Sequence, residues 1–137
     1  MAKFLTQEWW DTVIPKGSDM FSEGKTPSKL TLSLCEVYED VPEDRIGEYV
    51  WTKYVLEKGV LKSAEWGTDE DDTPDADYVI YGDYDAYVKV LSGEVPLAKA
   101  AISGMFQIDG NMLKGMKMLG TYAKLMEIKQ DGGATEW

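Results

Sequence analysis

SGEVPLAKAAISGMFQIDGNMLKGMKML, residues 92–119, strings a helix stop, a proline-started helix, a short strand and a methionine-loaded helix into one stretch. Gly93 sits where a preceding helix ends after its last turn. Pro96 suits the first turn of the next helix. There Leu97, Ala100, Ala101 and Gly104 share a side on which small residues let another backbone approach closely. Met105 to Ile108 has room only for a short strand. Asn111 caps the last helix. In that helix Lys114, Lys117, Thr121 and Lys124 form one narrow polar stripe. Nearly everything else is apolar or glycine, from Met112 and Leu113 through Met116, Met118 and Leu119 to Tyr122, Leu125 and Met126. That apolar surface is wider than the single stripe of an ordinary surface helix. Two internal glycines each cost about 1 kcal/mol relative to alanine, which sets a break near Gly120.

Working outward, Asp83 caps a helix in which Tyr84, Tyr87, Val88 and Leu91 fall on one face. At the start of the chain, residues 6–14 read as a helix. Thr6 is its cap, Leu5 and Trp10 form a hydrophobic staple, and Pro15 and Gly17 end it. Trp9, Trp10, Val13 and Ile14 form its apolar side, a lid for a sheet. Residues 15–29 read as loop. From Leu30 the period changes to two, with Leu30, Leu32 and Leu34 alternating with Thr31, Ser33 and Cys35. A polar loop spans 39–47. Tyr49–Leu56 and Val60–Trp66 form a hairpin about Lys58-Gly59. Val50, Tyr54 and Leu56 lie on one face and Trp51 and Val55 on the other, so the pair reads as central and covered on both sides. Asp77–Tyr81 is a further strand. Strands segregated from helices give an α+β fold, one mixed or antiparallel sheet of about five strands covered by helices. The single domain spans 1–130, and 131–137, with Gly132-Gly133, read as a disordered tail.

Composition removes several functions. The net charge is −11, from 25 acidic and 14 basic residues, and such a surface repels nucleic-acid backbones and anionic membranes. No apolar run approaches the ~20 residues of a membrane span. The chain has no histidine, which removes Ser-His-Asp and Cys-His catalysis and the usual zinc sites. Cys35 is the only cysteine; it reads as a small buried strand residue, and the chain as cytoplasmic. The acidic run from Asp69 to Asp77 lacks the glycine and terminal glutamate of an EF-hand, so a solvated loop is preferred to a calcium site. Carboxylates such as Glu36, Asp83 and Asp85 show no spacing that singles out an acid–base pair. Lys99, Lys114 and Lys117 could receive a ligand head group, but ordinary surface lysines explain them better.

Gly93-x-x-Pro96, Ala100, Gly104, Ile108, Gly110-Asn111-Met112 and Met116-Lys117, taken in order, resemble the sterol carrier protein 2 family at the same spacing. The resemblance is specific from about Ala76 to Leu119 and architectural upstream. It implies an α+β domain with an apolar tunnel between the sheet and the C-terminal helices, and no catalytic centre. By position it implies that Met105, Ile108, Met112, Met116 and Leu119 line the tunnel, joined by Leu113, Leu97, Ala101 and Phe106. Methionine is unbranched and polarizable and adapts to ligands of varied shape. The expected protein is a non-catalytic intracellular lipid carrier needing no cofactor or metal. Its expected ligand is a fatty acid, an acyl-CoA, a sterol or another lipid. The alternative is an accessory module whose apolar helical face buries against a partner or against its own copy as a homodimer.

Overall fold

Alternation beginning near Leu30 matures into the middle of the sheet. The computed structural model describes residues 2–27, 29–110, 115–130 and 135–136. Its five-stranded sheet contains β2 (Leu32–Glu39), β3 (Val50–Glu57), β4 (Val60–Gly67), β5 (Tyr78–Asp83) and β6 (Gln107–Gly110), in the order β4-β3-β2-β5-β6. All neighbouring pairs are antiparallel except β2 with β5, which makes the sheet mixed. The hairpin forms about Lys58-Gly59 as its turn residues predict. It is not central, however: β2 accepts β5 on its free side, so β2 becomes the middle strand and β4 an edge. Lys62, Ser63 and Glu65 of β4 are accordingly exposed, as suits an edge that must stay wet.

Four α-helices are described, α1 (Gln7–Met20), α2 (Tyr84–Leu91), α3 (Leu97–Ser103) and α4 (Gly115–Gln130), with a 3-10 turn at Glu70–Asp72 in the acidic loop. Thr6 caps α1, its hydroxyl oxygen accepting from the Trp9 N–H at 3.3 Å. The helix does not stop at Pro15 but continues to Met20. A proline removes only its own N–H bond to the preceding turn. Here the buried side of Trp9, Trp10, Val13 and Gly17 holds the helix on both flanks of that gap. Asp83 caps α2 as expected, accepting from the Ala86 N–H at 2.8 Å. Gly104 ends α3 at φ +82, the left-handed conformation glycine adopts without strain. Pro96 stands one residue earlier than predicted, as the cap itself. Strand β6 lies two residues later than the predicted Met105–Ile108. The predicted cap Asn111 lies outside the described residues.

The sequence expectation of a break at Gly120 fails. Helix α4 runs unbroken through it, because Gly120 lies on the exposed side while Met118, Tyr122, Leu125 and Met126 are buried around it. Burial of that face outweighs the ~1 kcal/mol glycine cost. The polar stripe is also displaced. Lys117, Gly120, Lys124 and Glu127 face solvent, whereas Thr121 is buried. In the expected disordered tail, Thr135–Glu136 form β7 and pair in parallel with β1 (Ala2–Lys3); residues 131–134 and 137 lie outside the described residues.

The main core fills the space between one sheet face and α1, α2 and α4. It joins Trp9, Leu34, Tyr38, Tyr54, Ile80 and Tyr122, among others. Trp10 stacks on Trp66 at 5.5 Å and 9°, which seats α1 over β4. On the opposite face a smaller cluster of Cys35, Val37 and Trp51 is packed by Tyr49, Ala76, Val79 and Tyr81. The two-faced burial read from β3 is therefore correct. The Trp51 ring lies so close to Gly67 that a Cβ there would meet it at 2.5 Å.

Candidate functional site

Helix α4 crosses the inner sheet face and creates two features, an open groove beside its first turns and a sealed polar centre beneath its last ones. The groove, ≈ 620 Å³, is lined by Lys29, Leu30, Thr31, Leu32, Asp77, Tyr78 and Lys117. A second depression of ≈ 460 Å³ shares Lys29, Leu30 and Lys117 and extends to Pro27, Gly120, Thr121 and Lys124. Leucines 30 and 32 with Tyr78 supply the apolar floor. The rim is fixed by a reciprocal clamp: the Ser33 N–H donates to Asp77 Oδ2 at 2.9 Å, and the Asp77 N–H donates to Ser33 Oγ at 2.8 Å. Three lysines gather here on a chain of net charge −11. Lys124 pairs with Glu127 at 3.4 Å; Lys29 and Lys117 have no ion-pair partner among the described residues.

The polar centre begins with Glu36, midway along β2 and fully buried. Its carboxylate accepts from the Thr52 hydroxyl at 2.9 Å, from the Tyr122 hydroxyl and from the Lys129 ammonium. Lys129, 2% exposed, also donates to the Tyr38 hydroxyl at 3.1 Å. The ammonium lies 5.4–5.9 Å from the ring centroids of Tyr38, Tyr54 and Tyr122, within cation–π range. Burial alone would push the Glu36 carboxyl up. The Lys129 charge and the hydrogen bonds from Lys129, Tyr122 and Thr52 outweigh it and hold the carboxyl below its ordinary 4.5. Burial pulls the Lys129 ammonium below its ordinary 10.5, with the Glu36 charge opposing. Burial, then the Glu36 charge, pushes the hydroxyls of Tyr38, Tyr54 and Tyr122 well above 10.

These shifts set the sign of a pH dependence. A carboxyl depressed on folding contributes stability that is fully present above its unfolded value and lost as pH falls through the folded one. Lys129, whose folded form holds the proton less tightly than the unfolded one, contributes a slope of the same sign only between its folded value and the ordinary 10.5, outside the window of Glu36. Unfolding free energy should therefore fall with acidification below about pH 4.5, the ordinary value for Glu36. Denaturant titrations across the acid range check this. The slope should flatten in Glu36→Gln.

The sequence names Glu36 only as one carboxylate among several and does not single out Lys129 or their pairing, yet each leaves a trace. Glu36 stands in the alternation Leu32, Leu34, Glu36, Tyr38, a charge on the apolar face of its strand. Lys129 continues the buried series Met118, Tyr122, Leu125 at helical spacing. A charge interrupting an apolar stripe was the available signal, present once in each element.

The predicted tunnel residues fall as follows. Phe106 is buried. Leu97, Met105, Ile108 and Leu119 are half-buried and packed against the main core, and Ala101 is half-buried on α3. Met112 and Leu113 lie outside the described residues. Met116 stands in the first turn of α4, and only its backbone is described. Of the lysines, Lys117 reaches the groove, Lys99 is on the exposed side of α3, and Lys114 lies outside the described residues. Cys35 is buried as expected, and burial, then the Glu36 charge, pushes its thiol up to about 11. Such a thiol is a poor nucleophile at neutral pH. No group of three His, Cys, Asp or Glu side chains able to hold a metal occurs among the described residues. None of the described helices is long and apolar enough to cross a membrane.

A mixed five-stranded sheet with its helices gathered on one face defines an α+β architecture. Comparison with solved structures identifies it as the fold of sterol carrier protein 2. One similar structure is a conserved hypothetical protein of Thermus thermophilus described as a possible sterol carrier protein. It is 19% identical with a TM-score of 0.73, over 97% of this chain and 91% of that one. Another is a crystal structure of sterol carrier protein 2, 21% identical with a TM-score of 0.72, over 93% of this chain and 98% of that one. A third is a palmitated sterol carrier protein 2-like protein of Aedes aegypti, 12% identical with a TM-score of 0.51, over 87% of this chain and 92% of that one. No family model and no curated protein matches the sequence.

Proposed function

We propose that this chain is a non-catalytic lipid carrier, holding an acyl, sterol-like or other apolar ligand between the sheet and the C-terminal helix. The likeness of fold that supports this reading extends over nearly the whole chain. The match to sterol carrier protein 2 has a TM-score of 0.72 and spans nearly all of both chains. In this reading the ligand enters by the groove floored by Leu30, Leu32 and Tyr78, where Lys29, Lys117 and Lys124 receive an anionic head group. Met105, Phe106, Ile108, Leu97, Ala101 and Leu119 lie along its path, with Met112, Leu113 and Met116 completing the wall. Binding draws on apolar burial at about 0.8 kcal/mol per methylene. A cytoplasmic carrier of fatty acids or acyl-CoA fits this picture.

Native mass spectrometry of freshly purified protein, with organic extraction of what co-purifies, tests the proposal. One lipid per chain is expected. A chain that is empty as purified and takes up no added fatty acid, acyl-CoA or sterol would overturn it. Met112→Asp and Met116→Asp should each abolish uptake with the sheet still folded by circular dichroism. Unchanged affinity in both would remove those methionines from the wall.

A further inference from the structure

The groove keeps its width through a glycine on the neighbouring strand. Gly110 ends β6 directly opposite Tyr78 of β5. Its φ of +152 lies in the region that glycine adopts freely and a side chain strains. A Cβ there would meet Tyr78 Cδ1 at 2.4 Å, the Asp77 carbonyl oxygen at 2.8 Å and Tyr78 Cε1 at 2.9 Å. The Tyr78 ring therefore occupies the place that a side chain at 110 would take. It is an aromatic laid across the glycine of the adjacent strand, a favourable cross-strand pair.

What lies on the other side of the ring gives this seat its consequence. Tyr78 faces the inner side of the sheet, and its neighbour across β2 is Leu34, two residues beyond Leu32. Leu30, Leu32 and Tyr78 floor the ≈ 620 Å³ groove, a volume suited to a small-molecule ligand. A ring held over β6 leaves the space above Leu32 open. A ring pushed off β6 turns toward β2 and narrows that space. Two more glycines seat rings as tightly: a Cβ at Gly67 would meet Trp51, and one at Gly82 would meet Phe106, each at 2.5 Å. Neither of those rings lines the groove. Of the three seats, the one at Gly110 stands at the ligand's entrance.

Resting on the lipid-carrier reading above, we infer that Gly110 is a specificity-determining residue: by seating Tyr78 over β6 it holds the groove wide enough for an apolar body broader than a single acyl chain. Gly110 is a positioning residue, acting through the ring rather than on the ligand. A side chain at 110 would displace the ring over the floor. A broad body then loses its room before a narrow chain does.

Two probes that share a carboxylate head group and differ in breadth decide it: dodecanoate and 1-pyrenebutyrate. Calorimetric titration gives the ratio of their affinities, and the wild-type protein should bind both. Gly110→Ala should weaken pyrenebutyrate roughly tenfold more than dodecanoate, the scale of overpacking by one methyl group. Adding Tyr78→Leu to Gly110→Ala should return the ratio toward that of the wild type, because the obstructing ring is gone. Gly67→Ala, which crowds Trp51 on the opposite sheet face, should leave the ratio unchanged, and it separates selection by breadth from general loosening of the sheet. A folded Gly110→Ala protein with an unaltered ratio would overturn the inference. So would a shift that Gly67→Ala reproduces or that Tyr78→Leu does not relieve. If Gly110→Ala does not fold by thermal melting, Tyr78→Leu alone decides: it should raise pyrenebutyrate affinity relative to dodecanoate, and an unchanged ratio counts against the seat. A wild-type protein that takes dodecanoate alone would also overturn the inference. Uptake of neither probe would overturn the lipid-carrier reading, and this inference with it.

Discussion

Lys129→Met is expected to destabilise the protein by about 3–5 kcal/mol, the scale seen when one partner of a buried ion pair is removed. The substitution keeps the length and apolar stem of the side chain. What it takes away is the counter-charge and the hydrogen bond that hold an ionised Glu36 in a fully buried position. Glu36 must then either stay charged without compensation or bind a proton, and each course costs free energy. The urea midpoint should drop with little change in slope. A paired variant, Glu36→Leu with Lys129→Met, should recover much of the loss, because desolvation of two charges and their mutual attraction disappear together. Recovery stays incomplete, since the Thr52 and Tyr122 hydroxyls that donate to Glu36 lose their acceptor. A Lys129→Met protein as stable as the wild type would mean that the pair does not hold α4 to β2.

The second large effect is expected at Trp9. Trp9→Ala should cost about 3–5 kcal/mol, the range for deleting a large buried aromatic. Trp9 is 2% exposed and meets the Phe4 ring edge-on at 4.8 Å. Its indole N–H donates to the Thr135 hydroxyl at 3.2 Å, and that hydroxyl donates to the Lys129 carbonyl, also at 3.2 Å. One side chain therefore ties α1, the β1–β7 pair and the end of α4 together. Trp9→Phe should lose less, keeping most of the apolar volume and forfeiting the N–H bond. Hydrogen exchange separates the two contributions. The amides of Thr135 and Glu136 should lose protection in both variants, and those of α1 chiefly in Trp9→Ala. Retention of full protection at Thr135 in Trp9→Phe would show that the indole N–H does not anchor β7.

Much of the fold was legible because local rules and tertiary demands agree. The hairpin about Lys58-Gly59, the caps Thr6 and Asp83, the alternation from Leu30 and the helix-ending glycine at Gly93 each state their structure within a few residues. The readings that failed, a helix stop at Pro15 and a break at Gly120, rest on residues with a real local cost. Neighbours far off in sequence offset that cost. Gly17 is seated against Leu61 and Ile128, and the face of α4 opposite Gly120 is buried on the sheet. The site divides in the same way. An apolar excess in the last helix was visible as composition. That one face of it would close over a charged pair was not, because Glu36 and Lys129 stand 93 residues apart.

The sequence alone determined the α+β class and the two-faced burial of β3. It also excluded histidine-dependent chemistry, since a residue type that is missing cannot be supplied by folding. Tertiary structure decided which strand is central, which side of α4 meets solvent, and that Glu36 and Lys129 neutralise each other. Strand order depends on which free edge each strand finds, and the charge state of a buried group depends on the partner brought to it in space.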